Sequence, residues 1–347
     1  MLNKYKSLAL ATIFSTTITA SFCATAETTL RYSNWLPEGY PVRIDILEPW
    51  MRDIERVTEG RVKIETTPSV VGSVAGQFDV IAYGQADIAL IVPGYTPGRF
   101  PLTEVFELPF LGDVAEARSP ATYDIYKEHL EQYNDFKGVK VMSVFTGSSA
   151  QIVTSNHSIK DTGDLKGLKL RSPQPATSQA LELLGAEPVA KPVPEIYELA
   201  SGGIIDGGII VPETVVGFNL YDALKSMTLV PGGMANTTLM VAMNQRKWDR
   251  LSAEDQQAIE QVSGEALALL AGQVHDQSNS NALTVMRESQ ANINHLPQDA
   301  VDKMKRILEP VETAWLQKAR DRGVENPEEI LEALKKAIAE RESKVSR

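Results

Sequence analysis

Arg171 lies in a short stretch, Lys169-Leu170-Arg171-Ser172, that follows the turn sequence Asp164-Leu165-Lys166-Gly167-Leu168 and stops at Pro173. Arginine is always charged in proteins and presents a planar fork of donors that matches a carboxylate in bidentate fashion. At the end of a strand in an α/β chain such a fork can hold a small anion, because ligands of open α/β sheets collect beyond the strand ends. The second residue with chemical reach is Glu213, at the end of Asp206-Gly207-Gly208-Ile209-Ile210-Val211-Pro212-Glu213. A carboxylate there repels a second acid group on a ligand and favours an ammonium group or hydroxyls. It can equally be a first-turn glutamate favoured by the positive end of a helix dipole. Asp206 reads as structural, satisfying turn amides.

Groups for bond-making chemistry do not assemble. The four histidines, His129, His157, His275 and His295, are scattered, and neither His-Glu-x-x-His nor a cysteine cluster occurs, which argues against zinc. There is no Walker loop and no Gly-x-Gly-x-x-Gly after a strand. Gly72-Ser73-Val74-Ala75-Gly76 carries its serine one place out of register for a nucleophile elbow. The carboxylate pairs Asp53/Glu55 and Glu254/Asp255 fall on helix faces and caps, where solvation explains them. No cofactor is expected, and an enzyme is disfavoured.

The elements that must position Arg171 and Glu213 follow from the pattern of the chain. Lys4 and Lys6, an apolar stretch from about Leu8 to Phe22, and Ala24-Thr25-Ala26 read as an export signal cleaved after about Ala26. The protein is therefore expected in the periplasm. Cys23 is the only cysteine and leaves with the signal, so the exported chain has no disulfide. The net charge of −11 becomes −13 once the two leader lysines are gone, which argues against nucleic acid and anionic membrane surfaces.

Alternation of apolar and polar residues predicts strands over 28–34, 61–66, 88–92, 139–145, 152–155, 204–211 and 239–244. Helical spacing predicts helices to about Thr58 and over 78–83, 115–133, 176–184 and 194–201. From Ser252, a good N-cap, a helical pattern persists to about Gln290, and two further helices cover 297–320 and 327–342. The organisation expected is a signal over 1–26, an α/β domain over 27–147 with part of 239–290 returning to it, and a second α/β domain over 148–238. A long helix over 252–290 touches both, and helices fill 291–347. Domains joined without a linker place a ligand cleft between them.

Several stretches in order carry a resemblance: Thr58-Glu59-Gly60-Arg61-Val62, Gly84-Gln85-Ala86-Asp87-Ile88, Pro97-Gly98-Arg99-Phe100-Pro101-Leu102 and Glu107-Leu108-Pro109-Phe110. The second half adds Leu165 to Arg171, Gly203-Ile204-Ile205-Asp206-Gly207 and Asn244 to Trp248. With these the chain resembles the solute receptors of tripartite ATP-independent periplasmic (TRAP) transporters, the dicarboxylate-receptor-like group. The resemblance implies an α/β two-domain periplasmic binding protein fold, with a cleft between the domains and a long helix spanning both. It implies a monomer that binds a small organic acid and delivers it to the membrane permease, with Arg171 pairing the carboxylate.

In such receptors the loop holding Trp35 and Tyr40 borders the cleft. Tyr95 can supply a ring and a hydroxyl. Phe145, Thr146 and Gly147 end the first strand of the second block, where small or hydroxylated residues approach a ligand, with Ser148 and Ser149 as alternatives. Phe218, Met234 and Asn236 are wall candidates, Asn236 the better polar one. Many relatives carry a Gln-Glu-Asn-Pro type sequence where this chain has the run ending in Glu213, which argues against a simple dicarboxylate. The ligand expected is an organic acid that also bears an amine or hydroxyls. A receptor for an amine or amino alcohol is the alternative, and an exported enzyme on a bilobal scaffold is the second.

Overall fold

The computed structural model describes residues 27–345; the expected export signal lies outside them. Two sheets organise the chain. The first takes β1 (Thr28–Ser33), β2 (Val62–Thr66), β3 (Ile88–Ile91), β4 (Val139–Thr146) and β10 (Thr238–Asn244), in the order β2-β1-β3-β10-β4. The second takes β5 (Gln151–Thr154), β6 (Lys169–Ser172), β7 (Glu187–Ala190), β8 (Gly207–Ile210), β9 (Ser226–Leu229) and β11 (Asn292–His295), in the order β11-β9-β5-β8-β6-β7. The chain passes to the second sheet between β4 and β5 and returns between β9 and β10. The two crossing segments touch as strands at one bridge, Ala150 to Ala235.

Helices cover the sheets: α1 (Glu48–Val57), α2 (Gln77–Ala82), α3 (Ala115–Ile125), α4 (Pro175–Leu183), α5 (Ile196–Ser201) and α6 (Pro212–Gly217) precede β10. After it come α7 (Gln245–Trp248), α8 (Ala253–Gln261), α9 (Gly264–Glu288), α10 (Gln298–Asp321) and α11 (Pro327–Val345). The helix expected to end at about Thr58 buries Leu47, Trp50, Met51 and Ile54, but Ile44, at helical spacing with them, is exposed and Ile46 is buried in its stead, because Val42–Leu47 is a π-helical lead into α1.

The helix expected over 252–290 is two helices. Ser252 caps α8, accepting from the Asp255 amide at 3.0 Å. The break falls at Val262-Ser263-Gly264. Gly264 has φ +59°, and a Cβ there would stand 2.6 Å from the Tyr123 hydroxyl. Trp50 Nε1 donates to Ser263 Oγ at 3.1 Å, and Ser143 Oγ donates to the Gly264 carbonyl at 2.7 Å. These contacts fix α9 against the first sheet at its start.

Helix α9 is the spanning element. Its buried stripe runs Gly264, Leu267, Ala268, Ala271, Gly272, His275, Ala282, Met286, the i, i+3, i+4, i+7 pattern of one helix face. Leu267, Ala268 and Ala271 belong to the core beneath the first sheet, and Met286 belongs to the core beside the second. His275 falls between them. Asp276 anchors the middle of the helix by accepting from the amides of Ala115 and Glu116, both at 2.9 Å, at the open start of α3.

Strands β7, β9 and β11 escape sequence reading. β7 and β11 are the two edges of the second sheet, and Glu187, Pro188, Asn292 and Asn294 make them polar and proline-bearing, as edge strands tend to be. β11 lies in the segment expected to be wholly helical and pairs in parallel with β9.

Candidate functional site

One cavity lies between the two sheets and reaches α9. Its walls include Trp35, Leu36, Tyr40, Val42, Leu90, Val92 and Tyr95 from the first half of the chain. Arg171, Val193, Ile209, Val211, Glu213, Thr214 and Phe218 come from the second, with Leu239 and His275. The space between atoms is about 560 Å³ counted out through the mouth, yet only about 50 Å³ admits the centre of a water molecule. The cavity is thus a slot, not a chamber.

Arg171 reaches the slot from β6. The strand is flanked in parallel by β7 and β8, and Gly208 is its register partner on β8. A Cβ on Gly208 would lie 2.9 Å from the Arg171 Cβ, so this glycine lets the two strands meet beside the arginine. Gly207 is needed for a like reason: its Cβ would fall 2.2 Å from the Val153 carbonyl oxygen. The guanidinium side chain is 4% exposed. Its Nε donates to the Lys191 carbonyl at 2.8 Å, one terminal nitrogen to the Ile209 carbonyl at 3.2 Å, and the other to the Tyr95 hydroxyl at 3.4 Å. Among the described residues no carboxylate forms an ion pair with it.

A guanidinium has five N–H donors. Three are engaged, which leaves two, one on each terminal nitrogen, and that is the pair a bidentate carboxylate takes. Burial lowers the arginine's pKa, with a smaller opposing contribution from Tyr95. The group nonetheless remains a cation at neutral pH.

Glu213 sits in the first turn of α6 and His275 on α9; both are 2% exposed. Glu213 Oε1 and His275 Nδ1 are 2.7 Å apart. The first-turn reading of Glu213 is therefore correct as to place, while its side chain is committed to a histidine. Glu213 and Arg171 line the same slot and do not pair with each other.

Two tyrosines of the cavity wall join the halves. Tyr95, in a 3-10 turn after β3, accepts from the Val193 amide at 3.2 Å as well as from Arg171. The Tyr40 hydroxyl is 3.0 Å from Thr214 Oγ1, and its ring meets Phe218 edge-on at 5.2 Å. Gly217 makes that approach possible, since a Cβ there would stand 2.3 Å from the Tyr40 ring. Trp35 donates Nε1 to the Leu90 carbonyl at 2.9 Å, leaving its ring to form wall.

The structure thus brings Arg171, Glu213, Trp35, Tyr40 and Tyr95 to one cavity. It places Phe145, Thr146 and Asn236 elsewhere. Phe145 is fully buried in the core beneath the first sheet, its ring 6.3 Å behind that of His275. Thr146 is taken up by Arg118, a fully buried arginine that donates to Thr146 Oγ1 at 3.2 Å and to the carbonyls of Gly112 and Gly147, each at 2.6 Å. Burial pushes the Arg118 pKa down to about 10. Asn236 lies on the returning crossover, where its carbonyl accepts from Gln174. Met234 is core, and Phe218 is wall.

His275 is the ionisable cavity residue absent from the residues singled out in the sequence, as are the polar Thr214 and Thr237. The signal of His275 was its place in the apolar stripe of a long helix, where a polar ring must find a partner.

The family model for bacterial extracellular solute-binding protein, family 7 (DctP), matches residues 32–339. A TRAP periplasmic solute-binding protein from Bordetella bronchiseptica, solved with bound (R)- and (S)-mandelate, is 32% identical. It superposes with a TM-score of 0.87 over 90% of this chain and 99% of that one. A marine metagenome TRAP solute-binding protein specific for aromatic acid ligands, solved with 3-hydroxybenzoate, is also 32% identical. Its TM-score is 0.86, over 91% of this chain and 99% of the other. A third, from Rhodoferax ferrireducens, was solved with copurified benzoate; it is 28% identical with a TM-score of 0.86, covering 92% and 100%.

Proposed function

The chain belongs to the bacterial extracellular solute-binding proteins of family 7, the receptors of TRAP transporters, and on that premise we propose that its ligand is an aromatic monocarboxylate held by Arg171. Receptors of this family bind small solutes in the periplasm and deliver them to membrane permease subunits. Among the described residues no helix is long and apolar enough to cross a membrane.

The observation that carries the ligand class is the buried, unpaired guanidinium in an apolar slot. A carboxylate supplies the missing negative charge and takes the two uncommitted N–H groups, in surroundings where low polarity strengthens the pair. The rest of the slot asks for a flat apolar body. Trp35, Tyr40 and Phe218 supply ring surface, and Leu36, Val42, Leu90, Val92 and Leu239 supply aliphatic wall. The hydroxyls of Tyr40 and Tyr95 are already bonded. A sugar acid would bring several hydroxyls to walls that offer them few partners, and each unmatched group costs about 1–3 kcal/mol. The three similar receptors named above, solved with mandelate, 3-hydroxybenzoate and benzoate, support the same class.

Binding on this reading is the whole event: the acid enters between the two halves, Arg171 orients it, and contacts across the mouth favour the closed form. The ligand leaves unchanged. A thermal-shift comparison tests this. Benzoate at about a hundred times its dissociation constant should stabilise the protein by roughly 2.7 kcal/mol, and benzamide, equal in shape and without charge, should not. Equal shifts with the two would remove Arg171 from the reading, and conversion of the acid to a product would replace it with an enzyme.

A further inference from the structure

We propose that Glu213 and His275 form a hydroxyl-selecting subsite in the same slot, so that the preferred ligand is an aromatic carboxylate that also bears a hydroxyl group. This rests on the Arg171 reading and deepens it.

The pair is bonded through one atom on each side, Oε1 of Glu213 and Nδ1 of His275, at 2.7 Å. That leaves Glu213 Oε2 and His275 Nε2. Both are shielded from solvent, and neither has a hydrogen-bond partner. A buried polar atom without a partner costs about 1–3 kcal/mol, so the pair carries two unfilled demands. Both residues line the slot that Arg171 enters.

The pair is also held rigidly, as a selecting subsite must be. His275 projects from the buried stripe of α9. There Gly272 packs so closely that a Cβ would fall 2.5 Å from the Ala115 carbonyl oxygen. The His275 carbonyl accepts from Ser148 Oγ at 3.0 Å. Glu213 is set by the first turn of α6, immediately after Pro212.

The two free atoms fit a hydroxyl better than the other polar groups an aromatic acid can carry. A hydroxyl has one donor and accepts as well, so it can donate to Oε2 and accept from Nε2 when that nitrogen is protonated, or donate to Nε2 when it is not. An ammonium group brings three donors to two acceptors and leaves one unmatched. A second carboxylate would face the carboxylate of Glu213 directly. Arg171 and Glu213 line one slot without pairing with each other, so each can take a different group of the ligand.

The test is calorimetric titration of the exported chain with benzoate, the three hydroxybenzoates, mandelate and 3-(aminomethyl)benzoate, repeated on Glu213→Gln and His275→Gln. At least one hydroxylated acid should bind tenfold or more tightly than benzoate, and 3-(aminomethyl)benzoate should bind more weakly than that acid. In each variant the preference should fall to near one. Thermal melting of both variants checks that they fold, and either alone suffices. The inference is overturned if no hydroxylated acid is preferred, if the ammonium compound binds tightest, or if the preference survives in a folded variant. Those results leave the carboxylate reading standing, whereas failure of every aromatic acid to bind overturns that reading and this one together.

Discussion

Replacing Arg171 by alanine should abolish most of the affinity for an aromatic acid and leave the empty receptor nearly as stable as before. The magnitude follows from what the guanidinium does. It is 4% exposed and engages only neutral oxygens, those of Lys191, Ile209 and Tyr95. Among the described residues no carboxylate pairs with it, so on the proposed reading the ligand's carboxylate is its ion-pair partner. Truncating one member of a buried, hydrogen-bonded charge pair costs about 2–5 kcal/mol. That is a loss of roughly 30-fold to a few thousandfold in affinity.

The empty protein loses three hydrogen bonds of about 0.5–1.5 kcal/mol each. It also sheds a buried charge whose desolvation costs several kcal/mol. These oppose each other, so its melting point should stay close to wild type. Arg171→Lys keeps the charge but not the fork, and should lose at least about tenfold. Titration calorimetry with benzoate reads the affinities, and differential scanning calorimetry reads the stability. Unchanged affinity in Arg171→Ala, or collapse of the empty protein, would refute the reasoning.

Other predictions come from other residues. Tyr95→Phe removes the hydroxyl shared by the Val193 amide and Arg171, and should weaken binding by about 1 kcal/mol, close to fivefold; small-angle scattering should show a more open empty receptor. Glu107 is a fully buried carboxyl near Glu104, and burial raises its pKa well above the usual value. The folded state then binds more protons than the unfolded one above about pH 4.5, so stability falls as pH rises through that window, by at most about 1.4 kcal/mol per pH unit. Glu107→Gln should flatten the slope in denaturation curves taken from pH 5 upward, and an unchanged slope would assign it to other groups. Arg118→Met should destabilise the chain by about 1–3 kcal/mol in urea, because it strands the buried carbonyl of Gly147 at the crossover, while the Gly112 carbonyl keeps its bond from Ser149 Oγ. A loss under about 1 kcal/mol would show that water replaces the guanidinium there.

Much of this was legible in the chain because local and global signals agree. The strand ending in Arg171, the Ser252 cap and the apolar face from Val42 to Ile54 are each written in consecutive residues. The cavity residues Trp35, Tyr40 and Tyr95 sit on loops where Pro and Gly mark the turns. What stayed hidden depends on partners distant in sequence. Phe145 and Thr146 end a strand, as cavity residues often do, yet one is drawn into the core and the other is claimed by Arg118 from another helix. Glu213 stands out in the sequence as an acidic residue, but its partner lies 62 residues away on α9. Edge strands β7 and β11 are recognisable only by what they pair with. The break at Gly264 depends on how closely Tyr123 approaches.

On the proposed reading, this receptor takes a flat aromatic acid between its halves. Titration calorimetry of the purified exported chain with benzoate and glucuronate tests it most directly. Benzoate should bind one to one, and glucuronate should give no measurable heat. Tight binding of glucuronate with none of benzoate would contradict that reading.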